Sequence, residues 1–548
     1  MLPVSGQSAA KMTFFRIAGL MLVLAAILLS PSVSSASVAN VYVAQNGAGS
    51  ANGADCADAL PLTWVNNSSN WGSGANQVGP GSTVHLCGTF TGAAGGQAIV
   101  INGSGASGNP ITIKFETGAV FTAPYWSIFG AISTNGKSWI VVDGGTNGIV
   151  QNTDNGSAGL FGNSAGSRPI NVSGPATNVI VTNLTVANTC QHSSSADTVG
   201  CQSFGNGDAA IWIQGGVTNV TITRNTIHDA GVGIVYLASA GDSAVMFSNN
   251  TISRTNWGLN LSTIGASSGA TVTRNDISCV IGATCNWDSG AANAFHHNGI
   301  MIDPQNSGDQ MSNLVISNNF IHDINTCTAG IFIDPAAGDT PGIQIYNNVF
   351  STTAGQIGPS DGWITVGIGT SNAVVLNNTI IGPGAIGMNG GGSGFSGPMI
   401  KNNIVATTNS AIVLDPGFAG VASDYNDFYN ITSGNPMVAE PAFYSSVAAW
   451  VGGTGFDVHS ITANPNLTAS FVPNAGSPVI GKGVNLTSVG ITGLNVGAPQ
   501  TFGVTGSCGT GCVPRPPSGP WDMGAYQTSG VAGGNQPNPA TALTAQGH

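Results

Sequence analysis

The chain has 548 residues, of which 42% are hydrophobic, only 6% are charged and 80 are glycine. Glutamate occurs twice, at Glu116 and Glu440, which excludes charge-faced amphipathic helices as the main building element. Beyond residue 36, nine cations stand against 23 acids, a net charge of −14, which argues against nucleic acid and anionic membrane as partners, both of which are held by clustered Lys and Arg.

Residues 1–36 read as a signal peptide. Arg16 is the charged flank, Ile17 to Leu29 the apolar core, and Ser34-Ser35-Ala36 supplies small residues for cleavage. The core is shorter than the ~20 residues a membrane-spanning helix needs, so the expected location is outside the cell, with no membrane contact after cleavage. The nine cysteines fit that oxidising setting. The sequence-local pairings are Cys56 with Cys87, Cys190 with Cys201, Cys279 with Cys285 and Cys508 with Cys512, which leaves Cys327 over or in competition for a partner in the 279–285 loop. No C-x-x-C pair suggests a zinc site.

From residue 179 a phrase recurs in which a β-branched strand runs into asparagine and then into a second apolar pair. It reads Val179-Ile-Val-Thr-Asn183, Val220-Thr-Ile-Thr-Arg-Asn225, Val245-Met-Phe-Ser-Asn-Asn250 and Thr271-Val-Thr-Arg-Asn275, and it continues through Asn319, Asn348 and Asn378 to Asn403. The spacings from Asn225 to Asn403 are 25, 25, 44, 29, 30 and 25 residues, a fixed unit with inserted loops. This predicts an all-β, single-stranded right-handed parallel β-helix: alternate side chains point inward and stack coil on coil. Asn is expected at the bends, where it tolerates left-handed backbone and can bond to the next Asn along the axis. A second phrase, Gly or Ala followed by apolar alternation, marks another sheet: Ala210-Ile-Trp-Ile, Gly233-Ile-Val-Tyr, Gly258-Leu-Asn-Leu, Gly299-Ile-Met-Ile and Gly330-Ile-Phe-Ile. The variable loops enter just before it and should line one side of the solenoid.

A solenoid must cover the exposed sheet edges at its ends. The stretches Val41-Tyr-Val-Ala-Gln-Asn-Gly, Gly108-Asn-Pro-Ile-Thr-Ile-Lys and Trp139-Ile-Val-Val-Asp-Gly144 resemble the opening of secreted pectate-lyase-like β-helices. Ser423-Asp-Tyr-Asn426, Gly476-Ser-Pro-Val-Ile480 and Trp521-Asp-Met-Gly-Ala-Tyr526 are similar to the closing part of bacterial right-handed β-helix repeat proteins. The resemblance implies an N-terminal cap and first coils over 40–135, the helix proper over 136–420, and C-terminal closing coils and cap over 421–528; residues 529–548, with Gly-Gly-Asn-Gln-Pro-Asn-Pro and no apolar core, read as a flexible tail. It implies fold and not activity, because the superfamily holds lyases, hydrolases, epimerases and non-catalytic members.

The longest insertion, between Asn275 and Gly299, holds Trp287, Asp288, His296, His297 and Asn298. In polygalacturonase-like members acids act at this loop-to-strand junction; here His296, His297 and Asn298 stand at the similar place. A neutral imidazole can serve as a base, Asp288 can orient it, and Trp287 can stack on a sugar ring. Neighbouring coils add Asp208, Asp229, Arg254, Trp257, His322 and Asp323, with Ile-His-Asp repeated at 227–229 and 321–323. The catalytic candidates are therefore His296, His297, Asp288, Asp229 and Arg254, and the substrate-binding candidates Trp257, Trp287, Asn298, His322 and Asp323. Repetition of Ile-His-Asp equally suits a turn-capping role, and Asp303, Asp334 and Asp415, each before proline, read as turn residues. No metal ligand set stands out; Ca²⁺ is the one cofactor the acids leave open. Elimination from a uronate needs a base and a cation, for which Arg254 is best located, while hydrolysis needs two carboxylates about 5–10 Å apart. The lysine motifs of familiar pectate and alginate lyases and the Asp-Asp, Gly-His-Gly and Arg-Ile-Lys signatures of polygalacturonases are absent. Two functions follow: a lyase or hydrolase of an extracellular polysaccharide, or a non-catalytic glycan-binding or structural surface protein.

Overall fold

The computed structural model describes residues 38–528 apart from 158, 193–207, 280–296, 307, 325–328, 335–339, 354–358, 360–361, 368–369, 389–394, 407–408, 416–417, 432–436 and 496–512. Its chain winds as a right-handed parallel β-helix with three faces. The first face is a sheet of 14 strands, among them Asn40–Ala44, Val217–Thr223, Ser243–Ser248 and Ala422–Asp424. The second and third faces merge into one 23-stranded sheet, because Thr226–Ser239 and Thr251–Ile264 each run through the corner between them as a single strand. The 3–5-residue strands of the later coils suit a fold that must turn a corner three times per coil.

Inward-pointing aliphatics stack without a helical layer. On the third face one column runs Ile211, Ile234, Leu259, Ile300, Ile331, Ile364, Ile386, Ile412 and Met437, in register from coil to coil. Each is 0% exposed, and all but one are β-branched or γ-branched aliphatics that fit a flat stacked surface. Burying each side chain contributes about 1.5–3 kcal/mol. One continuous core therefore extends from Val41 to Trp450.

Asn225, Asn250, Asn275, Asn319, Asn348, Asn378, Asn403 and Asn426 lie above one another and are buried. From Asn250 to Asn426 each Oδ1 accepts from both the backbone N–H and the side-chain amide of the asparagine one coil earlier: Asn275 donates to Asn319 from N at 2.9 Å and from Nδ2 at 3.0 Å. The second amide hydrogen goes to a first-face carbonyl, as from Asn319 to Val272. The ladder ends where Asn426 Nδ2 donates to Asp457 at 2.9 Å. The residue in left-handed backbone is the one before each ladder asparagine: Arg224, Asn249, Arg274, Asn318, Asn347, Asn377, Asn402 and Tyr425, with φ between 51 and 59°. The expectation that the stacked asparagines themselves take that conformation is corrected accordingly. Asn183 belongs to this left-handed row, and Leu184 occupies its ladder position, its N–H bonded to Asn225 Oδ1 at 3.1 Å.

The glycine of the second phrase has a steric cause. A Cβ on Gly233, Gly258, Gly299 or Gly330 would lie 2.5, 2.5, 2.6 or 2.7 Å from a carbonyl oxygen of the next coil, closer than any side chain allows.

Met437–Ala439 ends the third face and pairs antiparallel with Ala442–Tyr444, and the helix Val447–Thr454 lays buried Trp450 against Tyr444 and Phe456. The later motifs, read from sequence as closing coils, instead lie along the flank of the rod. Arg515 donates to Asn347 Oδ1 at 3.1 Å, Asn377 to the Gly524 carbonyl at 3.2 Å, and Asn402 to the Val484 carbonyl at 2.8 Å. Trp521, Leu486 and Leu494 pack on Tyr346 and Leu376. The left-handed asparagines project outward and offer amides to this strap.

Candidate functional site

The loops between the second and third faces all enter at one corner, where Asn188, Asp229, Arg254 and Asp323 adopt left-handed backbone. Asp229 and Arg254 stand on successive coils there and satisfy each other. Arg254 Nε donates to Oδ1 at 2.8 Å and its NH2 to Oδ2 at 2.6 Å, while His228 Nδ1 meets the same Oδ2 at 2.6 Å. Burial tends to raise the Asp229 pKa, but hydrogen bonds from Arg254 and His228 outweigh it and hold the carboxyl down to about 2. This geometry gives a saturated, two-pronged ion pair.

The second Ile-His-Asp builds a similar knot. His322 lies between Asp323 Oδ2 at 2.8 Å and Asp276 Oδ1 at 3.1 Å, and it stacks on Phe320. Burial lowers its pKa, yet the two carboxylates prevail and lift it to about 9. Asp323 in turn accepts from Thr353 of the next coil at 2.6 Å (N) and 2.9 Å (Oγ1).

His297 is buried at the foot of the long insertion, and Asn298 Oδ1 accepts from the Ala329 N–H at 3.0 Å, tying one coil to the next. Asp288, Trp287 and His296 lie outside the described residues. Cys56 and Cys87 form the expected disulfide, and Cys190 and Cys279 are disulfide-bonded as well. No group of three or more His, Cys, Asp or Glu is gathered to hold a metal ion among the described residues.

A groove of about 210 Å³ crosses the outer surface of the third face beside this corner. Its walls are Trp212, Val235 and Trp257, with Asn260, Ser262 and Gln305 as polar edges. Trp257 is only 9% exposed, so its ring is mostly packed among Val232, Val235 and Met301. At one end sits Asp208, whose carboxyl reaches the neighbouring coil: a Cβ on Gly231 would lie 2.2 Å from its Oδ2, so only glycine leaves room for it. Burial drives the Asp208 pKa up to about 7 against the opposing pull of its own backbone N–H and of Arg168. The Arg168 guanidinium lies 3.5 Å from the centroid of the Trp212 ring; burial brings it down to about 10, which leaves it charged at neutral pH.

Asp303 closes the other end of the groove. Gln305 donates to it at 2.6 Å, and burial together with the charge of Asp334 on the next coil raises its pKa. It stands in register with Ser262 and Leu237, six residues beyond Gly231, so at about 3.3 Å per strand residue the two groove carboxyls are well over 10 Å apart.

The sequence signals led to Asp229, Arg254, His322 and Asp323, which the structure brings to one corner, and to Trp257, which it brings to the groove. They did not single out Trp212, Arg168, Asn260 or Gln305. Asp208 figured only as a supporting group and Asp303 only as a turn residue. Outward alternation in Ile211-Trp212-Ile213 and Leu259-Asn260-Leu261 was the one available signal, because residues between two core positions point to the outer side of the sheet.

No family model and no curated protein sequence matches the chain. Similar solved structures include pectate lyase Pel9A, 13% identical with a TM-score of 0.43, over 91% of this chain and 98% of that one. An exopolygalacturonase from Thermotoga maritima is 11% identical with a TM-score of 0.35, over 63% and 84%. The Streptococcus pneumoniae surface protein and adhesin PfbA is 12% identical with a TM-score of 0.38, over 69% and 94%.

Proposed function

We propose that this is an exported polysaccharide lyase that binds an acidic glycan across the third-face groove and uses Asp208 for proton transfer. One observation carries the reading: a carboxyl held at about 7 beside a guanidinium in an aromatic-walled groove. Near neutral pH such a group is half ionised, which suits both taking up and giving back a proton. In the elimination, Asp208 as carboxylate removes the proton on C5 of a uronate. The electron pair left behind forms the C4–C5 double bond, the C4–O glycosidic bond breaks, and the captured proton returns to the departing oxygen. Arg168 neutralises the uronate carboxylate, which lowers the cost of the carbanion-like transition state. Hydrolysis is disfavoured because Asp303 stands too far off to pair with Asp208. The proposed export rests on residues 1–36 and on the disulfides, which form in oxidising compartments.

Non-catalytic glycan binding is the second reading, favoured by the 5% exposure of Asp208. A panel of acidic and neutral polysaccharides separates the two. Appearance of an ultraviolet-absorbing unsaturated product, lost in Asp208→Asn while the polymer is still bound, is the expected result. Binding with neither unsaturated product nor new reducing ends would leave the second reading in place.

A further inference from the structure

The first face carries a feature that neither the groove on the third face nor the core uses. Its outward row runs Val141, Ile180, Thr221, Met246, Thr271 and Val315, in register over six coils. Two concave stretches share this row. One, of about 280 Å³, lies between Trp139, Ile180 and Thr221; the other, of about 440 Å³, runs from Met246 past Arg274 to Tyr346 and Gly493 of the C-terminal strap. Thr221 of the first pairs with Met246 of the second, so the two stretches lie end to end along the axis, a trough line about 24 Å long at about 4.8 Å per coil. Beside it runs a row of hydroxyls, in which Ser248 donates to Thr223 at 3.0 Å and Ser317 to Thr273 at 3.2 Å. Among the described residues no carboxylate lines either stretch.

The trough is bordered by the left-handed row, where asparagine is the rule. Asn183, Asn249, Asn318, Asn347, Asn377 and Asn402 occupy it, as expected for the side chain that best tolerates φ near +55°. Three coils break the rule, with Arg224, Arg274 and Tyr425, and the two arginines are both at φ 56° and both exposed. They stand two coils apart, about 10 Å along the axis. Among the described residues neither is in an ion pair, in contrast to Arg254 at the other corner, which Asp229 holds. Arginine in this conformation costs stability that asparagine would not, and a chain with nine cations beyond residue 36 places two of them here outside any ion pair among the described residues.

We propose that this trough is a second glycan-binding site, taking an acidic polysaccharide along the rod axis with uronate carboxylates on Arg224 and Arg274. The polymer's length matches an axial trough, its carboxylates match guanidiniums that accept planar anions two-pronged, and its hydroxyls match the Ser/Thr row. Because the chain is strongly anionic, general attraction to a polyanion is excluded, and retention reports a local cationic site.

The test is affinity electrophoresis in gels containing polygalacturonate, dextran sulfate or neutral dextran, with the full chain carrying Asp208→Asn so that no polymer is cut and Arg168→Gln so that the third-face groove offers the polymer no guanidinium. Retention by polygalacturonate, weakening with added salt and falling about tenfold in affinity on Arg224→Asn with Arg274→Asn, is expected. Melting of the double variant should be unchanged or higher, since asparagine suits the backbone better. Unaltered retention in the double variant, equal retention by neutral dextran, or stronger retention by dextran sulfate than by polygalacturonate would overturn the assignment; so would a drop in melting temperature, which would make the arginines structural. Cleavage of short uronate oligomers by the otherwise native chain is read separately, so failure of the lyase reading does not mimic failure here.

Discussion

Replacing Asp208 by asparagine should stabilise the protein in a pH-dependent way while stopping its chemistry. The carboxyl is buried, and its pKa rises from 3.8 to about 7 on folding. A carboxyl raised in this way destabilises the fold only once it must ionise. The penalty is absent below about pH 4, grows until about pH 7 and is constant above that. A rise of about three units, at 1.36 kcal/mol each, makes the full penalty about 4 kcal/mol. Asparagine has the same shape without the charge, so the variant and the native chain should melt alike near pH 4 and diverge as pH rises, the variant being the more stable near pH 8. Other buried acids also titrate, notably Asp427, raised to about 8 by burial, so the informative quantity is the difference between the two proteins at each pH. Paired thermal melts across that range make the measurement. A constant difference, or one that favours the native chain at high pH, would refute both the raised pKa and the proton-transfer role built on it.

Asn319→Ala should cost about 3–5 kcal/mol, because it strips the acceptor from the buried Asn275 N–H and amide and the donor from the Val272 carbonyl; denaturant unfolding reads the loss. A value under about 1 kcal/mol would mean that the ladder is a consequence of stacking and not a cause of it. His322 is lifted to about 9 by Asp276 and Asp323 despite burial, so its stabilisation is complete below about pH 6.5 and lost as pH climbs through about 9. Asp276→Asn should therefore bring the imidazole pKa down, as measured by NMR titration, and flatten stability over that window.

The architecture was legible because a β-helix writes its period into the chain. Asparagines recurring every 25–30 residues, with one interval of 44, can serve only if they stack, and glycine before an apolar alternation recurs because a Cβ would strike the coil above. Less legible was which residue of Arg-Asn or Asn-Asn turns the chain. Both tolerate the corner, and the choice depends on which side chain faces inward toward its copy. The His228-Asp229 and His322-Asp323 pairs could be read as chemistry or as capping from the chain alone. Their partners Arg254, Asp276 and Thr353 lie 25 to 46 residues away, and only the coil register brings them together.

The sequence by itself determined the parallel solenoid, the stacked core and the corner at which the loops enter, because those follow from short-range alternation repeated at a near-constant interval. Only the tertiary structure decided that Asp208 is buried against Gly231 and sits beside Arg168, that Asp303 is too distant to be its partner, and that the C-terminal segment straps the flank. Each of these depends on the lateral offset between coils and on how far a side chain reaches across it, and neither quantity leaves a period in the sequence.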